Sequence, residues 1–189
     1  MEDNSTLRIQ KAYQTLLMIS MFSVMMLFAG LTSAYIVSKG ALGEKWDNIV
    51  LPNMFYVSTC MIIISSVFGY LAVNYCKSNN LPKLTQSLLL TIIFGLLFAV
   101  FQFLGWNDLV NEGKFLSGSN VASSYIYIFT ITHLIHLVGG VIALMVTFFY
   151  ARQKKYHSKN FNGLKLTIRF WHFLGFLWIY LFTFLILIN

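Results

Sequence analysis

The chain has 189 residues, of which 58% are apolar and 17% aromatic while only 10% are charged, and its mean hydropathy is +0.71. Such a composition excludes an ordinary water-soluble domain and points to an integral membrane protein. The net charge of +7 calls for no nucleic-acid partner, because membrane proteins hold Lys and Arg back on one side of the bilayer and anionic lipid reinforces that bias.

Five apolar runs approach the roughly 20 residues that a ~30 Å hydrocarbon core requires. They cover about 16–37, 54–76, 87–103, 124–150 and 166–187, so the chain is read as a single all-α membrane domain over 1–189, a five-transmembrane-helix bundle. The first run is too long for the apolar region of a signal peptide and no small-residue cleavage pattern follows it, so it is expected to be its own insertion signal. It contains Gly30 and Ala34, a small-xxx-small pair of the kind that lets helix backbones approach closely.

Pro52 precedes the second span and Pro82 the third, both placed in connections where a missing N–H costs little. The second span carries another small pair, Ser65 and Gly69, together with Cys60 and Cys76. Sixteen residues separate the cysteines, about 24 Å along a helix, so they cannot pair with each other and are read as buried small apolar residues. Near the end of the third span, Gln102 and Trp106 are expected at the membrane interface, which suits an amide and an amphipathic ring.

The fourth span holds "ITHLIHLVGG", residues 131–140, with His133 and His136 three apart. Imidazoles in hydrocarbon are expensive and need a reason: a haem or metal ligand, a proton relay, or a hydrogen bond between helices. Counted at 1.5 Å per residue, His133 and His136 lie roughly 13 and 18 Å from the outer end of their span, and His172 lies roughly 9 Å from the inner end of the fifth. His136 and His172 could then share a depth, as a bis-histidine haem requires. Two neighbouring histidines on one face are, however, redundant for one haem and too close in depth for two, which favours hydrogen bonding between helices. Gly139 and Ala143 form a third small pair. In the fifth span Trp171 and Trp178 are seven apart, so they share a face and are expected to pack against a neighbour or lipid. His157 falls in a basic connection and is expected to be solvated.

Lys and Arg set the orientation. Ten of them lie on the side of the N-terminal tail and the second and fourth connections, with only Lys39, Lys45 and Lys114 opposite. The N-terminus is therefore expected in the cytoplasm and the C-terminus in the periplasm. Arg152, Lys154 and Lys155 cluster where the fourth helix leaves the membrane, a position suited to an anionic lipid headgroup, although topology alone also accounts for them. All six acidic residues fall in the tail or in connections. Pumps and ion-coupled carriers place carboxylates at mid-depth, so this composition argues against either task for the chain alone.

The segment "FWHFLGFLWIYLF", residues 170–182, resembles the last helix of the haem-copper oxidase subunit III family, marked by Trp-His-Phe and a second Trp seven residues after the first. "THLIHLVGG" resembles the preceding helix of that family, here with His133, His136 and Gly140. "LFAGLTSAY", residues 27–35, is similar to its Phe-x-Gly-x-x-x-Ala-aromatic helix with Gly30, and "FGLLFAVFQ", residues 94–102, to the helix that carries Gly and Gln102. The four motifs occur in order over nearly the whole chain. The structural signature thus comprises Gly30, Gln102, His133, His136, Gly140, Trp171, His172 and Trp178.

This resemblance implies the short five-helix bacterial form of cytochrome c oxidase subunit III. It implies a non-catalytic accessory subunit of a respiratory terminal oxidase in the bacterial inner membrane. Such a subunit packs beside catalytic subunit I, with subunit II, a small subunit IV in some complexes and a respiratory supercomplex as further associations. It binds no redox metal; haems and copper belong to partner subunits, while the chain stabilises the catalytic subunit, supports its proton supply and carries phospholipid. Quinol oxidases and a nitric oxide reductase accessory protein use the same family. Val24, Lys165 and Gly175 stand where the family often has carboxylates, so proton-handling roles of those groups do not carry over. An independent b-type cytochrome anchor and a small transporter are the readings from other classes.

Overall fold

A computed structural model describes residues 2–43, 46, 49–116, 121–156 and 161–188, with side chains from Arg8 onward. It contains the five expected helices: α1 Glu2–Leu42, α2 Asn53–Lys77, α3 Leu81–Asn111, α4 Val121–Arg152 and α5 Asn162–Ile188. Each is long and apolar enough to cross a membrane. Hydrocarbon requires every backbone N–H and C=O to be paired within the protein, which helices and closed barrels achieve, and apolar runs of about 20 residues suit the helix.

The helices run past the apolar spans at both ends. Glu2 and Asp3 belong to α1 and Asp108 to the last turn of α3, while Pro82 lies in the first turn of α3 rather than in a connection. Hydropathy marks where the chain meets lipid, whereas a helix continues into the headgroup region until a cap stops it. Three helices stop in the same way, with a left-handed residue that directs two amide N–H groups back onto the last carbonyls. After α2 this residue is Asn79, after α3 Gly113 and after α4 Lys154, with φ of 55°, 76° and 56°. Lys154 N–H, for example, donates to the Ala151 carbonyl at 3.0 Å and Lys155 N–H to the Tyr150 carbonyl at 3.1 Å. Asn80 then caps α3 by accepting from the Lys83 N–H at 3.3 Å.

Helices α2, α3, α4 and α5 form a closed ring of neighbours, and α1 leans on α4 and α5 from outside. In the apolar window of α5 50% of residues are buried, against 17% in α1, so α5 is the central strut and α1 the peripheral one. The buried side chains of α1 are Val24, Phe28, Thr32 and Tyr35, one stripe along its second half. Its first half diverges and leaves a groove of about 650 Å³ between Tyr13, Leu17 and Ser20 on α1, Ala143 on α4, and Leu166 and Phe170 on α5. At the far end Trp46 folds back from the α1–α2 connection and meets the ring of Tyr35 at 5.0 Å, edge to face. Two of the three small pairs point away from the bundle: a Cβ on Gly30 or Gly139 would meet nothing within 4 Å. Only Ser65 and Gly69 lie in a helix contact, with Ile168 3.4 Å from a Cβ built on Gly69. Cys76 is buried as expected, but Cys60 is exposed on the outer face of α2.

Candidate functional site

A set of polar side chains from α3 and α5 converges on α2, whose small hydroxyl residues come as two adjacent pairs seven apart, Ser58 with Thr59 and Ser65 with Ser66. Seven residues is close to two helical turns, so both pairs face the same neighbours. α5 carries its own polar groups at the matching spacing. The Trp171 indole Nε1–H donates to Ser65 Oγ at 3.0 Å, the Trp178 Nε1–H to Thr59 Oγ1 at 2.9 Å, and His172 Nδ1 is hydrogen-bonded to Ser66 Oγ. Gln102 of α3 completes the set, its Nε2 donating to Ser58 Oγ at 2.8 Å. Gln102 is 1% exposed, so it is a core residue and not the interfacial amide expected from its place in the span. Its neighbour Trp106, half-buried, donates to Thr130 Oγ1 on α4 at 2.9 Å.

Glycines make room for the indoles. A Cβ on Gly95 of α3 would stand 2.6 Å from Cζ2 of Trp171, and one on Gly140 of α4 2.8 Å from Leu174 Cδ1 and 3.1 Å from the Trp171 ring. Trp171 is therefore seated between two helices that only glycine lets close. Gly105 does the same for Phe55, at 3.0 Å.

The histidines of the fourth helix depart from expectation. His133 is buried with neither ring nitrogen hydrogen-bonded. It packs as an aromatic ring among Trp178, Phe98 and Phe28, at centroid distances of 5.2, 5.9 and 6.3 Å. His136 donates from Nδ1 to the Thr132 carbonyl of its own helix at 2.7 Å, with Phe28 of α1 at 5.8 Å. Among the described residues neither makes the interhelical bond anticipated for it, because the side chains presented to them by α1, α3 and α5 are aromatic. His172 does make one. His136 thus faces α1 and His172 faces α2, not the mutual approach that a shared haem iron requires. His157 lies outside the described residues.

At the basic end of the bundle, Arg152 and Lys154 line a shallow pocket of about 450 Å³ with Asn79 of the α2–α3 turn and Leu81, Pro82 and Thr85 of α3. Lys155 turns aside and places Nζ 4.8 Å from the centre of the Tyr150 ring. The pocket therefore unites two of the three cations with an element far away in sequence. The sequence marks Ser65 only as a small residue; the seven-residue spacing of the α2 hydroxyl pairs, matched by that of Trp171 and Trp178, is the signal that marks them as partners.

Residues 1–188 match the family model for cytochrome c oxidase subunit III. The chain belongs to that family. It is 28% identical to the cytochrome bo(3) ubiquinol oxidase subunit 3 of Buchnera aphidicola, a match covering 85% of this chain and 84% of the relative. With the probable cytochrome c oxidase subunit 3 of Mycobacterium leprae it shares 26% identity over 85% of this chain and 80% of the relative. The cytochrome c oxidase subunit 3 of the tick Rhipicephalus sanguineus is 26% identical over 76% of this chain but only 56% of its own length.

As a subunit III of a haem-copper oxidase, the chain belongs in a complex with catalytic subunits, and the cofactors of such oxidases sit in other subunits. Among the described residues no three His, Cys, Asp or Glu gather as a metal site would require. The family motifs accordingly map onto packing: Trp171, Trp178, Gly140 and Gln102 hold helices together.

Proposed function

We propose that this chain is the non-catalytic subunit III of a bacterial cytochrome c oxidase, inserted in the inner membrane with its N-terminus in the cytoplasm and its C-terminus in the periplasm. Its task is to stabilise catalytic subunit I, beside subunit II, and to sustain its proton supply during turnover. The observation that carries this reading is the conversion of the motif side chains into a locked α2–α5 contact, with Trp171, Trp178 and His172 each tied to an α2 hydroxyl. A rigid slab of helices without titratable carboxylates in its core acts on a partner through shape and shielding. The test is to prepare the oxidase without this chain. Haem and copper spectra should persist while activity decays sooner during turnover; loss of a haem signal would overturn the accessory role.

Phospholipid is the second element of the proposal. The pocket at Arg152 and Lys154 offers two cations to an anionic headgroup, each worth about 1 kcal/mol near the membrane surface. The groove beneath the splayed half of α1 is large and apolar enough for acyl chains. A quinol oxidase is the alternative complex, favoured by the relative from Buchnera aphidicola. A CuA site in the accompanying subunit II would decide for cytochrome c.

A further inference from the structure

The outward edge of α5 carries a feature that the packing of this chain leaves unexplained. Lys165, Arg169, His172, Phe176, Ile179 and Thr183 follow one another at alternating spacings of four and three, the repeat by which one helix lies along another. Apart from the half-buried His172, every member of this seam is exposed. Beside it, α2 and α5 enclose a groove of about 420 Å³ whose walls include Ile62, Val67, Tyr70 and Phe176 and whose floor is Gly175 with the Ser66–His172 pair.

Three observations set this groove apart from a surface that merely meets lipid. The first is Gly175. A Cβ there would lie 3.6 Å from Ile62 Cγ1 and 4.0 Å from Ser66 Oγ, ordinary contact distances, so the chain itself has no steric need of glycine at this point, unlike Gly95 and Gly140. The second is His172. Ser66 occupies Nδ1, and among the described residues Nε2 has no partner, at a depth where an acyl chain offers none. The third is Arg169, one turn away toward the start of α5. The only ion pair among the described residues is Lys114 with Glu112 at the opposite end, so nothing described in this chain neutralises Arg169. An arginine near a helix end reaches the headgroup region unless a partner meets it, and Arg169 stands exposed on the seam beside the groove.

We infer that the α2–α5 groove seats a transmembrane helix of the oxidase's catalytic subunit, and that this helix presents a carboxylate toward Arg169 and His172. Charge complementarity selects the partner. Lipid hydrocarbon would leave both groups unmatched, and a second copy of this chain would bring Arg169 and Lys165 against their own kind. Gly175 keeps the floor low enough for a side chain of the incoming helix, and the exposed ring of Phe176, 73% accessible, packs along it. The inference rests on the chain's place in an oxidase assembly and adds the face by which it docks.

The test uses the whole oxidase, purified in mild detergent through a tag on this chain. A photo-reactive phenylalanine analogue at position 176 should cross-link to the catalytic subunit. Gly175→Leu fills the groove, and Arg169→Glu reverses the charge at a residue with no described partner. Each should leave the amount of this chain in the membrane fraction unchanged while most of the haem-bearing subunit is lost from the purified material. If Gly175→Leu also lowers the amount of the chain itself, Arg169→Glu decides. Cross-links to lipid or to a second copy, or undiminished recovery with Arg169→Glu, would overturn the docking face while leaving the family role intact. Failure of the unmodified chain to bring down any haem subunit would instead overturn the assembly reading, and the docking face with it.

Discussion

Trp171 of α5 lies so close to Gly95 of α3 that a single methyl group on that glycine would fall 2.6 Å from the indole ring. The same indole donates to Ser65 of α2, so one side chain fixes the spacing of three helices. Gly95→Ala should therefore destabilise the bundle by about 1–3 kcal/mol, the usual cost of overpacking a filled core. Gly175→Ala, whose new methyl meets only ordinary contacts, should be nearly neutral within the isolated chain. Thermal unfolding in detergent distinguishes the two, and equal melting shifts would show that the ring is free to move.

The hydrogen bond itself is a separate quantity. Ser65→Ala strands the Trp171 indole N–H in the core and should cost about 0.6 kcal/mol, and no more than roughly 1.7, the range for polar pairs between membrane helices. A double-mutant cycle with Trp171→Phe isolates the pair. A coupling energy indistinguishable from zero would mean that packing alone holds the indole.

His133 gives the opposite expectation. Among the described residues its two ring nitrogens have no partner, so the folded state gains no hydrogen bond from them and bears the cost of their desolvation. His133→Leu, close in volume and without polar atoms, should leave the bundle as stable or more so and leave haem per complex unchanged. A pyridine haemochrome assay checks the second point. The disappearance of one stoichiometric haem on replacing His133, His136 or His172 would promote the b-type cytochrome reading.

Lys154 combines two roles that can be separated. Its backbone is left-handed, with φ of 56°, a conformation costing a side-chain-bearing residue roughly 1–2 kcal/mol that glycine does not incur. Lys154→Gly should raise the melting temperature, whereas Lys154→Gln should not. If the pocket with Arg152 holds an anionic headgroup, both variants should lower the phospholipid phosphorus that co-purifies. Unchanged phosphorus in both would leave the cluster as a topology signal alone.

Topology has its own test. The proposed orientation, with the N-terminus inside, rests on ten Lys and Arg against three, and under it a reporter fused after Asn189 should behave as periplasmic. Reporter activity in the cytoplasm would reverse the assignment.

Much of this molecule is legible in the order of its residues. The number of helices follows from hydrophobic length alone, since the bilayer fixes the span and an apolar run of about 20 residues satisfies its backbone there as a helix. The family is legible in four short motifs whose spacing the helix converts into faces, and the shared face of Trp171 and Trp178 follows from their seven-residue separation. Partners were not legible. A helix of apolar residues meets lipid and protein with nearly the same chemistry, so periodicity says little about which side turns inward. Gln102 therefore reads as interfacial although Ser58 of α2 holds it in the core, and Gly30 reads as a contact although it faces outward. His133 reads as a hydrogen-bonding residue although aromatic rings enclose it. Tertiary structure alone decided that α2, α3, α4 and α5 close into a ring and that α1 buries side chains against it only from Val24 onward. Those choices depend on whether a glycine, a hydroxyl and an indole from three distant segments meet at one point, and that is a property of packing.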